Sequence, residues 1–234
     1  MSTVTADVEW AVSDALTDYG KATTLMEQRA AAIRDGTARE MAWLLQHGHV
    51  YTAGTSAAPE ELLAPGAVPV FKTGRGGRYT YHGPGQRVGY IMLDLAKRGR
   101  DVRHYVHSLE GWLIAALADL GVSAHRAAGR IGLWVDTPAG EAKIGAIGVR
   151  VRRWVTLHGF ALNVSPDLGR FGGIVPCGLA DYAVTSLEAL GRPADMKALD
   201  EALARHFPGF LETLERGGQG AAEESCSSSS APLR

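Results

Sequence analysis

The spacing of apolar and polar positions divides the chain into segments of two kinds. Between residues 19 and 35, Ala22, Leu25, Met26, Arg29 and Ile33 recur at three-or-four spacing and Gly36 supplies a stop, which predicts a helix. A clearer helix runs from Asp101, a good cap, to Leu120. Val102, Tyr105, Val106, Leu109, Leu113, Ala116 and Leu120 make one apolar stripe, and Gly121 closes it. Apolar, β-branched runs predict strands over 43–51, 68–73, 88–95, 131–136, 143–151 and 155–164, with a hairpin turn at Thr137-Pro138-Ala139-Gly140. Further helices are expected over 185–190, 194–207 and about 210–216. Strands crowd the middle of the chain, with helices at both ends and one inserted. The expected class is therefore α+β, a single domain with a central mixed β-sheet flanked by helices.

Composition narrows the class. A chain of 234 residues with 46% hydrophobic and 21% charged residues holds enough apolar material for a sizeable core. The net charge of −1 gives no global attraction to nucleic acid or to an anionic membrane, so neither is an expected partner. Asp7, Glu9 and Asp14 near the N-terminus are unlike a secretory signal, and 112–122 is too short to span a bilayer. A soluble cytoplasmic protein is the expectation. Residues 217–234, rich in Gly, Ser, Ala and Glu, read as a flexible low-complexity tail following a domain over 1–216.

Three places carry candidate chemistry. Arg75-Gly76-Gly77-Arg78-Tyr79-Thr80-Tyr81-His82-Gly83-Pro84-Gly85-Gln86 joins two glycine turns through an aromatic run, and glycines at that density let backbone approach a ligand closely. It is no dinucleotide fingerprint, because a β-like run follows it and no Gly-Lys-Ser/Thr occurs. A hairpin loop with its arginines in solvent is an equally good reading of it alone. Of the two cysteines, Cys226 sits in the tail, whereas Cys177 lies between Pro176 and Gly178, in a turn that would present its sulfur. A lone cysteine is otherwise a small buried hydrophobe. With an ordinary pKa of ~8.5 such a thiol needs a helper near neutrality, and an ammonium would serve. Lys143 opens Lys143-Ile144-Gly145-Ala146-Ile147-Gly148-Val149, a strand start that either ends in solvent or turns its ammonium into a pocket. His47-Gly48-His49, His104 with His107, and His158 lack supporting ligands at metal-binding spacing, so no metal is assigned.

Taken together, Tyr51-Thr-Ala-Gly-Thr-Ser56, Arg75–Gln86, Lys143-Ile-Gly-Ala-Ile-Gly148, His158-Gly-Phe-Ala-Leu-Asn163 and Pro176-Cys-Gly178 resemble the lipoyl(octanoyl) transferase family over about 18–204. The resemblance implies the α/β catalytic fold of biotin and lipoate protein ligases and a two-step acyl transfer that needs no cofactor. Cys177 would take the octanoyl group from octanoyl-acyl carrier protein as a thioester. A lysine on a lipoyl domain, in a 2-oxoacid dehydrogenase complex or the glycine cleavage H protein, would then receive it. Lys143 matches the lysine that lowers the cysteine pKa and shuttles protons. Arg75, Gly76, Gly77, Arg78, Tyr79, Thr80, Tyr81 and His82 match the loop lining the acyl site, and Ala146, Ile147, Gly148, Gly159, Phe160 and Ala161 match two further substrate-contacting segments. The chain departs from the family at His47-Gly48-His49, where a His-Pro-Pro-like turn is common, and at Trp154, near which some members carry glycine. An ATP-dependent ligase on the same scaffold and a non-catalytic acyl-binding protein are the rival readings.

Overall fold

The structure is a computed structural model and describes residues 7–66, 68–175 and 183–227. In chain order its elements are β1 (Val8–Thr17), α1 (Tyr19–Arg34), β2 (Glu40–His47), β3 (Val50–Ala53), β4 (Val70–Lys72), β5 (Tyr79–His82), β6 (Gln86–Met92), α2 (Val102–Asp119), β7 (His125–Ala127), β8 (Arg130–Thr137), β9 (Gly140–Arg152), β10 (Val155–Asn163), β11 (Ala183–Val184) and α3 (Met196–Ser227). Among the described residues, eight strands form one sheet in the order β1-β2-β6-β10-β9-β8-β7, with β11 added beside β9. The β1–β2 and β11–β9 pairs are parallel and the others antiparallel, so the sheet is mixed as expected. A smaller sheet, β4-β3-β5, holds the glycine loop at its end.

Both faces of the large sheet are covered. The side chain of Asp18 accepts a hydrogen bond from the Lys21 amide and caps α1. That helix turns Tyr19, Ala22, Met26, Ala30 and Ile33 inward, whereas Leu25 of the expected stripe is exposed. Four of them, Ala22 to Ile33, meet Leu45, Val88, Tyr90, Met92, Leu157 and Ala161 from alternate positions of β2, β6 and β10. The opposite positions, among them Leu44, Ile91, Phe160 and Leu162, pack under α2 and α3. Asp101 caps α2 as predicted, through the His104 amide.

Tertiary contacts changed several local expectations. The predicted strand over 43–51 is two strands, because Gly48 and His49 carry the chain from the large sheet into the small one. The helices expected over 194–207 and 210–216 are one helix that runs through Pro208 and on to Ser227, across the start of the segment expected to be flexible. A proline inside a helix costs about 3 kcal/mol. Burial of Phe207, Phe210, Leu211 and Leu214 at about 1.5–3 kcal/mol each outweighs that. No helix forms over 185–190, where Thr185 and Leu187 donate backbone N–H groups to the carbonyls of Lys143 and Asn163 instead. The Arg153-Trp154 turn between β9 and β10 holds both residues at positive φ, 49° and 68°. Trp154 thus lies outside the core, with the Arg100 guanidinium 5.7 Å from its ring centroid. No helix among the described residues is long and apolar enough to cross a membrane.

Candidate active site

A β-bulge shapes the site. Trp134 pairs with Lys143 but its neighbour Leu133 pairs with Gly145, so β9 carries one residue more than β8. An extra residue reverses which face each later side chain takes. Ala142 and Ile144 accordingly sit in the core under α2 and α3, and Ile147 and Val149 pack against that same core. Lys143, Ala146 and Gly148 therefore share the other face, where they help line a cavity of about 530 Å³.

The walls of this cavity come from several elements. Gly148 pairs with Gly159 and Ala146 with Ala161, two small cross-strand pairs that leave room above the sheet. A Cβ at Gly148 would lie 3.1 Å from Arg75 Cδ, and one at Gly159 only 2.4 Å from the Gly89 carbonyl oxygen. The glycine loop supplies Arg75, Gly76, Gly77 and Arg78, and β5 continues it with Thr80 and His82. Ile147 and Phe160 also border the cavity. Tyr79 and Tyr81 do not line it. Strand alternation turns them the other way, into a cluster with Tyr51 and Phe171, where the Tyr81 hydroxyl bonds His49 Nδ1 at 2.7 Å. Tyr19, Tyr90 and Ile131 also line the cavity with no sequence pattern to single them out, and so does His158, which opens the motif His158–Asn163.

Arg75 is buried and acts first as a brace for its own loop. Nη2 donates to the Thr52 carbonyl at 2.8 Å, to Thr52 Oγ1 at 2.7 Å and to the Arg78 carbonyl at 3.0 Å, while Nη1 reaches the Gly76 carbonyl at 2.9 Å. A side chain on Gly54 would strike the Gly77 carbonyl at 2.1 Å, which explains the glycine in Tyr51–Ser56. Arg78, also at the cavity, pairs with Glu61.

Lys143 is 8% exposed, and its Nζ donates to the Ile131 carbonyl at 3.1 Å while lying 5.4 Å from the Trp134 ring centroid. Gly132, at φ +125°, makes way for the lysine stem. A Cβ there would stand 2.6 Å from Lys143 Cε and 2.8 Å from the Gly145 carbonyl oxygen. Gly132→Ala should therefore displace the lysine and destabilise the fold by about 1–3 kcal/mol, through both the clash and the backbone conformation. Urea denaturation checks this, and a midpoint equal to wild type would contradict it.

Cys177 lies outside the described residues. The chain leaves them at Val175, whose N–H donates to the Glu61 carbonyl, and returns at Ala183. On the return, Val184 is the register partner of Lys143, and Asn163 Nδ2 donates to the Thr185 carbonyl at 2.9 Å. Asn163 Oδ1 in turn accepts from Gln86 Nε2, and Gln86 Oε1 lies 3.1 Å from His82 Nδ1. The last residues of Arg75–Gln86 and His158–Asn163 thus join the glycine loop to the strand beside Lys143.

Three histidines at this end of the sheet are held neutral. Burial, with Arg75 nearby, depresses His82 and His158 to about 3, and burial also lowers His47. His47 Nδ1 donates to the Thr17 carbonyl at 2.8 Å, so its Nε2 accepts from the Tyr90 hydroxyl. The unfolded chain binds protons on these rings near pH 6.5, whereas the folded one binds them only near 3 at His82 and His158. Their stabilising contribution is full above about pH 6.5 and is lost as pH falls towards 3. His158 sits at φ +60°, which asparagine tolerates, so His158→Asn should fold. It should lower the slope of unfolding free energy against pH, between pH 4 and 6, by up to about 1.4 kcal/mol per pH unit. An unchanged slope in urea titrations would contradict this.

Among the described residues, His125, Asp136 and Glu141 bring ligand atoms within 4.8 Å of one another. Glu141 already accepts from His125 and is paired with Arg130 at 2.5 Å, so the cluster fits an ion-pair network better than a cation site.

Residues 18–208 match the family of the lipoyl protein ligase A/B catalytic domain. An octanoyltransferase of Rhizorhabdus wittichii is 60% identical over 212 residues, 91% of this chain and 95% of that protein. One of Sphingopyxis alaskensis is 65% identical over 207 residues, 88% of this chain and 95% of that protein. Among solved structures, the bipartite lipoate protein ligase of Thermoplasma acidophilum superposes with a TM-score of 0.64 at 16% identity, over 91% of each chain. A lipoate-protein ligase A bound with ATP gives 0.64 and 16% over 91% of this chain and 93% of the other. At such identities the two structures speak for the fold alone, which is the one expected. The chain belongs to the lipoyl(octanoyl) transferase family and is an acyltransferase built on the lipoyl protein ligase A/B catalytic domain.

Proposed function

We propose that the protein transfers an octanoyl group from octanoyl-acyl carrier protein to a lysine of lipoyl domains, in two steps through a thioester on Cys177. In the first step the Cys177 thiolate attacks the thioester carbonyl carbon. A carbon–sulfur bond to Cys177 forms, the bond to the carrier sulfur breaks, and the carrier thiolate leaves and takes a proton. In the second step the amine of the lipoyl-domain lysine attacks the same carbon. An amide forms, the Cys177 sulfur departs as thiolate, and the amine sheds a proton. A thioester is already activated, so neither step needs ATP, and covalent capture lets two protein substrates visit in turn.

The observation that carries this reading is the buried Lys143 ammonium at the wall of a cavity, on a strand paired with the chain that follows the Cys177 segment. An ammonium beside a thiol favours the thiolate, and the same group can give a proton to the departing carrier sulfur and take one from the attacking lipoyl-domain amine. Glycines and alanines of β9 and β10 leave the space an acyl chain needs, and burying it contributes about 0.8 kcal/mol per CH₂. The acceptors in this reading are the lipoyl domains of 2-oxoacid dehydrogenase complexes and the glycine cleavage H protein.

The test is the intact mass of the protein after incubation with octanoyl-acyl carrier protein in the absence of ATP. One octanoyl group mapping to Cys177, and discharged by a lipoyl domain, is the expected result. Transfer only when ATP and the free acid are supplied would make the protein a ligase.

A further inference from the structure

We infer that Tyr19 is the chain-length stop of the acyl site, a specificity-determining side chain at the end of the cavity away from Lys143. This rests on the proposed acyl transfer. Tyr19 is the first residue of α1, fixed there by the Asp18 cap, and it is 5% exposed. The ring centroid lies 5.0 Å from that of His47 and 4.9 Å from that of Phe71, and it stacks at 6.4 Å on His82 with 14° between the planes. Tyr19 lines the main cavity, and it also lines a second one of about 320 Å³ bounded by Leu16, His49, Val50, Pro69 and Phe71. Neither His47 nor Phe71 borders the main cavity, so the tyrosine ring is the partition its neighbours hold in place.

The dimensions agree with this role. Lys143 is on β9 and the His47 that supports Tyr19 is on β2, three strand gaps away in the order β9-β10-β6-β2. At about 4.8 Å per gap that distance is about 14 Å. An extended chain advances about 1.2 Å per single bond, so eight carbons span about 9 Å. The remainder leaves room for the Tyr19 ring and the thioester. A twelve-carbon chain would have to pass that ring, and the second cavity behind it, where Leu16, Val50, Pro69 and Phe71 stand beside Thr17, Asp18 and His49, would receive the extra carbons.

The experiment compares carrier-protein donors bearing eight- and twelve-carbon chains, read as single-turnover acyl-enzyme formation on the full chain. Binding of octanoate and dodecanoate is measured beside it by calorimetry, which needs no transfer. Tyr19→Ala should raise the twelve-to-eight ratio at least tenfold in both readouts, while Tyr19→Phe keeps the ratio within twofold of wild type. If Tyr19→Ala fails to fold, Tyr19→Leu carries the same comparison. A folded variant with an unchanged ratio overturns the inference. A shift in fatty-acid binding without any acyl-enzyme in wild type would uphold the stop and refute the transfer mechanism, and the absence of both acyl-enzyme and acid binding would refute both.

Discussion

Replacing Cys177 by alanine should abolish octanoyl transfer, lowering the rate by at least about 10³-fold, because no other group is assigned to carry the acyl chain between the two protein substrates. The variant should also lose the octanoyl mass adduct, so that the chemical and kinetic readouts fail together. Cys177→Ser should be nearly as inactive. A serine hydroxyl is far less acidic than a thiol, and a neighbouring ammonium that suffices to ionise sulfur leaves it protonated. Cys226→Ser is the control and should leave the rate unchanged. It removes the only other thiol of the chain, which makes any surviving adduct assignable. Full activity in Cys177→Ala would refute the covalent mechanism, whatever the fold.

Lys143→Ala should reduce transfer at neutral pH by about 10²–10⁴-fold, the range for losing a positioned proton-transfer group. Two roles contribute, and they respond differently to pH. Without the ammonium, the thiol returns towards its ordinary value of ~8.5, so only a few per cent is thiolate at pH 7. The residual rate should then climb about tenfold per pH unit until the thiol is ionised, masking part of the loss. The missing proton shuttle is not restored by base. Lys143→Arg separates the two effects, since a guanidinium keeps the charge but does not give up its proton. It should preserve alkylation of Cys177 by iodoacetamide while transfer stays impaired. A neutral-pH rate in Lys143→Ala equal to wild type would remove the residue from the mechanism.

The helices were legible because their apolar stripes and caps are local. Asp101 and Gly121 bracket α2 in the sequence as they do in the fold. Where a hydrogen-bond partner comes from far along the chain, the local reading failed. Residues 185–190 look helical, yet their backbone binds Lys143 and Asn163. The strand β1 carries Glu9 and Asp14 within it and shows no clear alternation. It exists because β2 pairs with it in parallel.

The candidate site divides in the same way. The choice of candidate groups, a lysine among small residues and a cysteine between proline and glycine, was legible in the chain's own pattern. So was the family, because five ordered motifs do not coincide by chance. Which faces Lys143 and its small neighbours present came from strand pairing. The bulge opposite Leu133 and Trp134 puts Lys143, Ala146 and Gly148 on one side of β9. Alternation along β5 sends Thr80 and His82 to the cavity and turns Tyr79 and Tyr81 away from it. Tyr19, an ordinary first residue of a helix by its spacing, becomes a cavity wall only because α1 crosses the end of β2. A strand has a period of two, so a single extra residue reverses every later side chain, and that residue is set by pairing with another strand rather than by its own neighbours.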